Sequence, residues 1–442
     1  MSCPKLPTDK GNIKKFEITP NGGGNPVDIS GSITQYYYYE SIFDNSRRVV
    51  VNGKDAGYRG GQQGEDGTFI GQEGDTSNLM TELNTGGGEQ VEIETEDASE
   101  NTQEMTMFID KVSPDDEGTQ STGFTMELVS KEVLSQRQAS IRKRYDGKIS
   151  DSVNSILTDP LPNGLGTDKP ININPDTVNE YSFWGNGRTP FYWCVTLAKK
   201  GIGSNPGKSA GYLFFENKEG FNFVAIDTLF EGEDYVKKLI YTDTYLTPEG
   251  YDGKIISYTM NKTVDVEKSM MMGNYNNELQ SFNPFDNEYQ ETPLTSEDTE
   301  GGLKFAGTEF ASKLVNTEFT QYPSRFFSQI QDIGTLPKGT DLKAQLKTAT
   351  EENLSYQDVT AQSSMRYDQL MSIQLTITTG GFVDLKVGDK VFCDFPDPSA
   401  AEGTKSPSEK NSGIYIIAEL CHNLTPKASY SKFILIRDSF GR

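Results

Sequence analysis

Four consecutive tyrosines, Tyr36-Tyr37-Tyr38-Tyr39, stand in the middle of a run of aromatic and β-branched residues, Ser32–Phe43. Such residues favour strands, and successive side chains of a strand point to opposite faces. Two rings therefore lie on each face. We expect both faces of this strand to be covered by other parts of the protein.

Similar segments recur on both sides of this run. In Val91-Glu92-Ile93-Glu94-Thr95-Glu96 the alternation predicts glutamates on one face and apolar side chains on the other. Asn52-Gly53 predicts a hairpin turn, and the Gly-rich segment Gly53–Gly74 a long loop. Many short antiparallel strands with long loops indicate a barrel or a sandwich. The other predicted strands of this part are Asn12–Thr19, Arg47–Asn52, Gly88–Thr95, Gln103–Val112 and Thr122–Ser130.

The pattern changes to α+β after Ser130. Lys131–Tyr145 predicts a helix with a basic cluster near its end, Arg137, Arg142, Lys143 and Arg144. This cluster suits a phosphate site, a solvated face or a contact to an acidic neighbour, and we favour the last two. A second helix begins at Ser150, and a third, Phe191–Lys200, follows the N-cap Thr189 and Pro190. The segments Ala210–Glu216 and Phe221–Leu229 then form a hairpin.

A second group of strands follows this module. Between about Thr292 and Ser363 the sequence is polar with weak periodicity, which indicates an excursion with short helices. Met365–Met371 predicts a helix, and Pro396–Ser412 a polar loop. The predicted strands are Tyr235–Tyr245, Lys254–Val264, Ser372–Thr379, Phe382–Leu385, Lys390–Phe395, Gly413–Leu420 and Lys432–Arg437.

Composition excludes several classes of function. The 442 residues carry 64 Asp and Glu against 41 Lys and Arg, a formal charge of −23, and 11% of them are aromatic. Disordered acidic chains are poor in aromatic residues, so we expect a folded protein. Proteins that bind duplex DNA tightly present clustered cations, which this balance argues against. No apolar run approaches the ~20 residues of a membrane span, and Met1–Lys5 lacks the apolar core of a signal peptide.

Cysteine and histidine chemistry is sparse. Cys3, Cys194, Cys393 and Cys421 are far apart and form no Cys-x-x-Cys pair, so we expect free thiols. The single histidine, His422, lies in a strand-like run and is expected to be structural, held by neighbouring backbone.

Two further motifs are weak. Asp115-Asp116-Glu117-Gly118 lacks the spacing of a calcium loop and predicts a hairpin tip. Gly203-Ser204-Asn205-Pro206-Gly207-Lys208-Ser209 is one residue short of a phosphate loop, and Pro206 removes an N–H. We therefore predict no catalytic, cofactor-binding or metal-binding residue, no cofactor and no enzymatic activity.

The order and spacing of several motifs nevertheless resemble a known family. The motifs are Arg188-Thr189-Pro190-Phe191, the hairpin Gly211–Phe223, Gly273-Asn274-Tyr275-Asn276-Asn277, Leu385–Val391, and Gly413–Ile417 with His422 and Phe433–Ser439. Together they resemble the central baseplate hub protein of contractile-tailed bacteriophages, a family related more distantly to late-control and spike-hub proteins. No single motif is specific. The likeness extends from Ser32 to Ser439.

This resemblance implies a mainly β fold with two tube-like antiparallel β-barrels and an embedded α+β module. The domains expected are 1–130 for the first barrel, 131–254 for the α+β insertion, 255–291 for the first strands of the second barrel, 292–364 for the excursion, and 365–442 for the rest of that barrel. It also implies a structural homotrimer in the virion tail baseplate, assembled in the host cytoplasm.

The partners implied are the central spike protein, tail tube and tube-initiator proteins, and baseplate wedge proteins, with no stable membrane insertion. DNA would pass through a channel without tight binding. Glu92, Glu94 and Glu96 would line this channel or an outer solvated face. The competing hypothesis is an acidic extracellular β-rich protein that acts on or binds carbohydrate.

We predict that all four cysteines carry free thiols, because no motif pairs them and the resembling family assembles in a reducing cytoplasm. Thiol titration of the denatured, unreduced protein should give four thiols per chain. A titration that gives two or none would contradict this.

Overall fold

The computed structural model of the chain describes residues 11–55, 61–63, 69–71, 86–117, 122–204, 210–241, 253–262, 265–285, 287–297, 303–313, 316–352, 356–397 and 407–441. None of the helices in these ranges is long and apolar enough to cross a membrane.

The N-terminal strands form one antiparallel sheet in the order β2-β1-β7-β8-β9-β4-β3. In β7 the apolar side chains are buried and the glutamates lie on the other face, as the alternation predicted. The strands are β1 (Asn12–Thr19), β2 (Val27–Asp28), β3 (Ile33–Ser41), β4 (Arg48–Asp55), the short pair β5 (Gly61–Gln63) and β6 (Phe69–Gly71), β7 (Gln90–Glu96), β8 (Thr102–Glu117) and β9 (Thr122–Val129).

Two local predictions for this sheet are wrong. Asn52-Gly53 lies inside β4, opposite Thr125 and Phe124 of β9, rather than in a turn. A Cβ at Gly53 would overlap the ring of Phe124, so the glycine admits a close approach. The tyrosine strand is covered on one face only: Tyr36 and Tyr38 are buried, whereas Tyr39 is 39% exposed. The reason is that β3 belongs to a sheet with one outer face.

The middle of the chain forms the α+β module around its own apolar core. Phe191 of the third helix packs against the hairpin rings of Phe214 and Phe221, with centroids 5.8 and 5.9 Å away. The elements are α1 (Lys131–Ser135), β10 (Arg144–Tyr145), α2 (Ile149–Thr158), β11 (Ile171–Asn174), β12 (Phe183–Trp184), α3 (Pro190–Ala198), β13 (Tyr212–Asn217), β14 (Gly220–Ala225) and α4 (Ile226–Phe230).

The helix predicted over Lys131–Tyr145 ends at Ser135 instead. Tertiary pairing overrides local propensity here. The Ile141 N–H donates to the Arg188 carbonyl at 3.1 Å, and β10 pairs with β12. Thr189 occupies the N-cap position of α3, but its side chain makes no capping hydrogen bond.

The C-terminal strands close a barrel. Six strands follow the order β23-β22-β15-β16-β21-β24, and β24 pairs back onto β23. Its strands are mostly antiparallel, but β15 runs parallel to both of its neighbours. The elements of this half are β15 (Lys237–Tyr241), β16 (Lys254–Lys262), α5 (Val266–Met272), β17 (Asn276–Asn283), β18 (Glu288–Thr295), β19 (Glu309–Phe310), β20 (Arg325–Ile330), α6 (Leu342–Glu352), α7 (Tyr356–Leu370), β21 (Ile373–Gly380), β22 (Lys390–Asp394), β23 (Gly413–Leu424), β24 (Ser429–Arg437) and β25 (Ser439–Phe440).

The C-terminal half of β23, beyond the part paired with β22, pairs antiparallel with β3 and joins the two β units. We call this pairing the seam. It makes a single 13-stranded sheet of the two units. The buried apolar side chains on both sides of the seam form one continuous core. The mainly β fold class with an embedded α+β module is thereby confirmed.

The polar excursion contains more strand than its weak periodicity indicated. Strands β18, β17 and β20 form a sheet separate from the barrel, so β17 and the beginning of β18 are not in the second barrel expected to begin with 255–291. Residues 266–364 are called the excursion from here on. The segment after β20 contacts the α+β module, because Asp332 accepts from the Tyr181 hydroxyl at 2.8 Å and pairs with Lys200. The Arg144 side chain also donates to the Leu336 carbonyl at 2.9 Å.

Arg366 of α7 ties three parts of the chain together. Only 1% of this residue is exposed. Its Nε donates to Asp227 of α4 at 3.0 Å, and its Nη1 donates to Asp438 at 2.7 Å. Its Nη2 donates to the Lys304 carbonyl at 2.6 Å. The guanidinium thus forms ion pairs with two buried carboxylates at once.

Replacing Arg366 by Met should destabilise the protein by about 3–5 kcal/mol, because Asp227 and Asp438 would stay buried without a cation. The urea midpoint of unfolding, followed by circular dichroism, should fall, and the triple variant R366M/D227N/D438N should recover much of the loss. The control R325M removes a half-buried cation that pairs with Asp368 at 3.4 Å and should cost less than about 1 kcal/mol. An R366M protein that unfolds at the wild-type urea concentration would contradict this role.

Candidate assembly site

Strand β3 brings a carboxylate into the protein interior at the seam. Because residues of equal parity share a face, Glu40 lies on the buried side with Tyr36 and Tyr38 and is 3% exposed. It accepts hydrogen bonds from the Tyr38 hydroxyl and, at 3.0 Å, from the Val387 N–H. Burial outweighs these contacts and raises the pKa of Glu40 to about 7. Glu40 therefore changes charge near neutral pH.

His422 of β23 lies directly opposite Tyr38. The two rings are stacked with centroids 5.9 Å apart, and the His422 Nδ1 is 2.7 Å from the Ser431 hydroxyl. Burial lowers the pKa of His422 to about 3, so the ring is neutral at neutral pH. The ring thus contacts the Ser431 hydroxyl and the Leu385 backbone, and its structural role stays a prediction.

A chain of ion pairs extends from the seam into the α+β module. Arg47, just before β4, pairs with the fully buried Glu216 of β13 at 3.0 Å. Lys169 pairs with the same carboxylate at 2.7 Å and with Glu132 at 2.6 Å. Burial alone would raise the pKa of Glu132, but Lys169 holds it below its usual value. Opposite charges thus alternate along the contact between the two modules.

The tip of the β13–β14 hairpin reaches the second barrel at the same place. The Lys218 ammonium donates to the Val383 carbonyl at 3.0 Å and to the Asp384 carbonyl. Lys386 pairs with Glu219 at 2.6 Å. Residues 38–47, 216–219 and 383–389 therefore bring the first sheet, the α+β module and the closed barrel together. We call this cluster the junction.

The glutamates expected on a channel wall or a solvated face are partly paired within the chain. Glu92 lies 2.6 Å from Lys15 of β1. Lys14 lies 3.2 Å from Glu96 and 3.8 Å from Glu94. Hydrogen bonds that Lys15 donates to Glu92 and Glu17 raise the pKa of Lys15, which stays charged. The face therefore carries both signs of charge.

The basic cluster is divided between internal pairs and the surface. Lys143 pairs with Asp159, and Arg144 with Asp146 at 2.7 Å, so the predicted contact to acidic neighbours occurs within the chain. Arg137 and Arg142 are exposed. The Arg188 guanidinium lies over the Tyr192 ring, 5.1 Å from its centroid. A basic and aromatic surface thus remains on this module.

Other candidate residues give no site in the described part of the chain. Its His, Cys, Asp and Glu side chains include no group of three or more placed to hold a metal ion. Cys194, Cys393 and Cys421 are free thiols, and Cys3 lies outside the described residues. Asp115–Glu117 lies at the end of β8, and residues 205–209 of the weak phosphate-loop motif lie outside the described ranges.

The junction itself is not evident from the sequence. The alternating pattern placed Glu40 on the same face as Tyr36 and Tyr38, a signal that a charge points inward. The pattern does not show the contacts of the junction, because Glu216 lies far along the chain from Arg47 and Val387 lies far from Glu40.

Comparison with solved structures shows the same fold in phage tail proteins. A tail protein from Neisseria meningitidis MC58 superposes with a TM-score of 0.52 at 10% identity, over 97% of each chain. The 43 kDa tail protein of prophage MuSo2 from Shewanella oneidensis gives 0.52 at 12% identity, over 96% of this chain and 99% of that one. The lidded Francisella PdpA–VgrG complex gives 0.48 at 10% identity, over 99% of this chain and 53% of that one. No family model matches, and the comparison with curated proteins gives no match.

The raised pKa of Glu40 predicts that this residue makes the protein less stable as pH rises. Between the unfolded value near 4.5 and the folded value near 7, the folded state binds the extra proton, so the free energy of unfolding falls by about 3 kcal/mol across this window. Glu40→Gln keeps an acceptor for the Val387 N–H and removes this dependence. Urea unfolding of both proteins from pH 5 to pH 8 should show that the free energy of unfolding of the variant increases relative to that of the wild type as pH rises.

The control for this measurement is Glu94→Gln, which removes one negative charge from the outer face of β7. Its stability difference from the wild type should stay flat over the same range. A Glu40→Gln difference that is equally flat would show that the buried carboxyl does not titrate in this window.

Proposed function

We propose that this chain is the structural hub of a phage tail baseplate. In this role it forms a homotrimer that joins the six-fold tail tube to the three-fold central spike. The observation that carries the proposal is the pair of β units fused at the seam, a six-stranded closed barrel and a sheet that runs on from it. The fold shared with tail proteins supports a role in the tail.

Two β units per chain suit both the six-fold symmetry of the tube and the three-fold symmetry of the spike. Three copies supply six β units, on which a ring of six tube subunits can stack. The α+β module and the excursion each occur once per chain, so the two β units are not equivalent. The assembly therefore keeps true three-fold symmetry for the spike. A ring closes when one head-to-tail contact repeats with a rotation that returns to the start.

The domain boundaries proposed from the sequence stay part of this proposal with two changes. Strand β15 is supplied to the barrel from the end of 131–254, and β17 and β18 belong to the excursion. The role is non-enzymatic. The partners are the spike, the tube and tube-initiator proteins, and wedge proteins of the baseplate. The chain acts in the virion tail after assembly in the host cytoplasm.

The trimer leaves a channel for DNA. An acidic wall repels phosphate, whereas a basic wall would bind it and slow its passage. The net charge of −23 supports an acidic lumen. Because Glu92 and Glu96 pair with Lys15 and Lys14, we expect other acidic side chains to contribute to this lumen as well.

Three-dimensional reconstruction of the assembled particle tests the proposal. We expect three copies of this chain in one ring, each presenting two β units towards the tube, around a lumen of negative potential. Six or twelve copies, or one β unit facing the tube, would contradict the adaptor role. A neutral or positive lumen would contradict only the proposed DNA channel.

A further inference from the structure

The excursion carries an unusual share of exposed apolar surface. Nearly half of the large apolar side chains that are exposed in the described part of the chain lie between Val266 and Ile330. Soluble proteins rarely leave such clusters uncovered unless the surface binds a partner. We therefore expect this region to contact a partner.

One face of the sheet β18-β17-β20 carries an aligned apolar row. Phe282 of β17 lies opposite Tyr289 of β18 and Ile330 of β20. These three side chains are 40%, 56% and 69% exposed, respectively. The opposite face packs towards α7, since Leu279 is fully buried and the Asn277 amide donates to the Ala361 carbonyl at 3.3 Å. We call the outer side the excursion face.

The charge of the excursion face is negative. By parity with Phe282, it includes Glu278 of β17, and by parity with Tyr289 it includes Glu291 of β18. Arg325 is the one cation in the three strands, and it pairs with Asp368 of α7 at 3.4 Å. A partner surface must therefore bring apolar side chains together with cations.

Such a surface exists on the same chain. Residues 131–204 carry ten Lys and Arg against seven Asp and Glu, a positive segment within a chain of −23. On it Trp184 and Tyr192 are each 47% exposed, and Arg188 lies over the Tyr192 ring. We call Trp184, Arg188 and Tyr192 the module face.

We propose that the excursion face of one copy docks onto the module face of the next copy. This inference rests on the proposed trimer and names its contact. Copies of a −23 chain repel one another unless surfaces of opposite sign meet. A closed ring needs two different surfaces that fit each other, which the acidic and basic faces supply. The exposed aromatic side chains of both faces would provide the buried apolar core of the contact.

Charge reversal tests this contact. Glu291→Lys and Arg188→Glu each place like charges together and should weaken trimer formation by about tenfold or more. The double variant E291K/R188E restores an opposite-sign pair and should recover most of the lost affinity. Native mass spectrometry and sedimentation over a concentration series measure the association. Circular dichroism checks that each variant is folded.

Matched controls separate the contact from net charge. E409K and K427E make the same changes in charge at exposed turn residues elsewhere on the chain and should leave association unchanged. If the wild type is trimeric and E291K, R188E and the controls associate equally well, the docking inference is wrong and the trimer stands. If the double variant E291K/R188E loses as much association free energy as the two single variants together, the two residues do not meet, and the inference is also wrong. A wild type that stays monomeric throughout overturns both the inference and the trimer.

Discussion

The pairing of β3 with β23 is the interaction on which the rest of the structure depends. Backbone hydrogen bonds along Tyr36–Ser41 convert two β units that are distant in sequence into one sheet. Each unit then buries its apolar side chains in a shared core. An unpaired edge strand exposes backbone donors and acceptors, so this pairing also protects both edges from unspecific association.

The seam fixes the position of the third module as well. The end of β3 and the residues before β4 present Glu40 and Arg47 on the interior side, where the hairpin tip of the α+β module and the loop before β22 meet them. Buried charges cost free energy unless each is paired and hydrogen-bonded. The junction satisfies its charges only when all three modules are in place. Its geometry therefore favours one relative arrangement over others.

In the proposed assembly the buried ionisable groups at the seam are structural. Glu40 accepts a hydrogen bond from the Val387 N–H, and His422 lies against the Tyr38 ring and the Ser431 hydroxyl. The excursion face is apolar and acidic, and the module face is aromatic and basic. Opposite charges on two outer faces are what the proposed contact between copies requires.

The sequence by itself determined the strand-rich ends, the embedded α+β module, and the inward and outward faces of β7. These depend on periodicity and on neighbours close along the chain, which the residues themselves encode. Tertiary structure alone decided the rest. Asn52-Gly53 stays within a strand because Gly53, which has no Cβ, leaves room for the Phe124 ring. Residues 139–145 are not helical, because Ile141 pairs with Arg188 and Arg144-Tyr145 pair with β12. The seam, the junction and the excursion sheet join residues tens to hundreds of positions apart, and no local pattern records which distant partner satisfies a given hydrogen bond or charge.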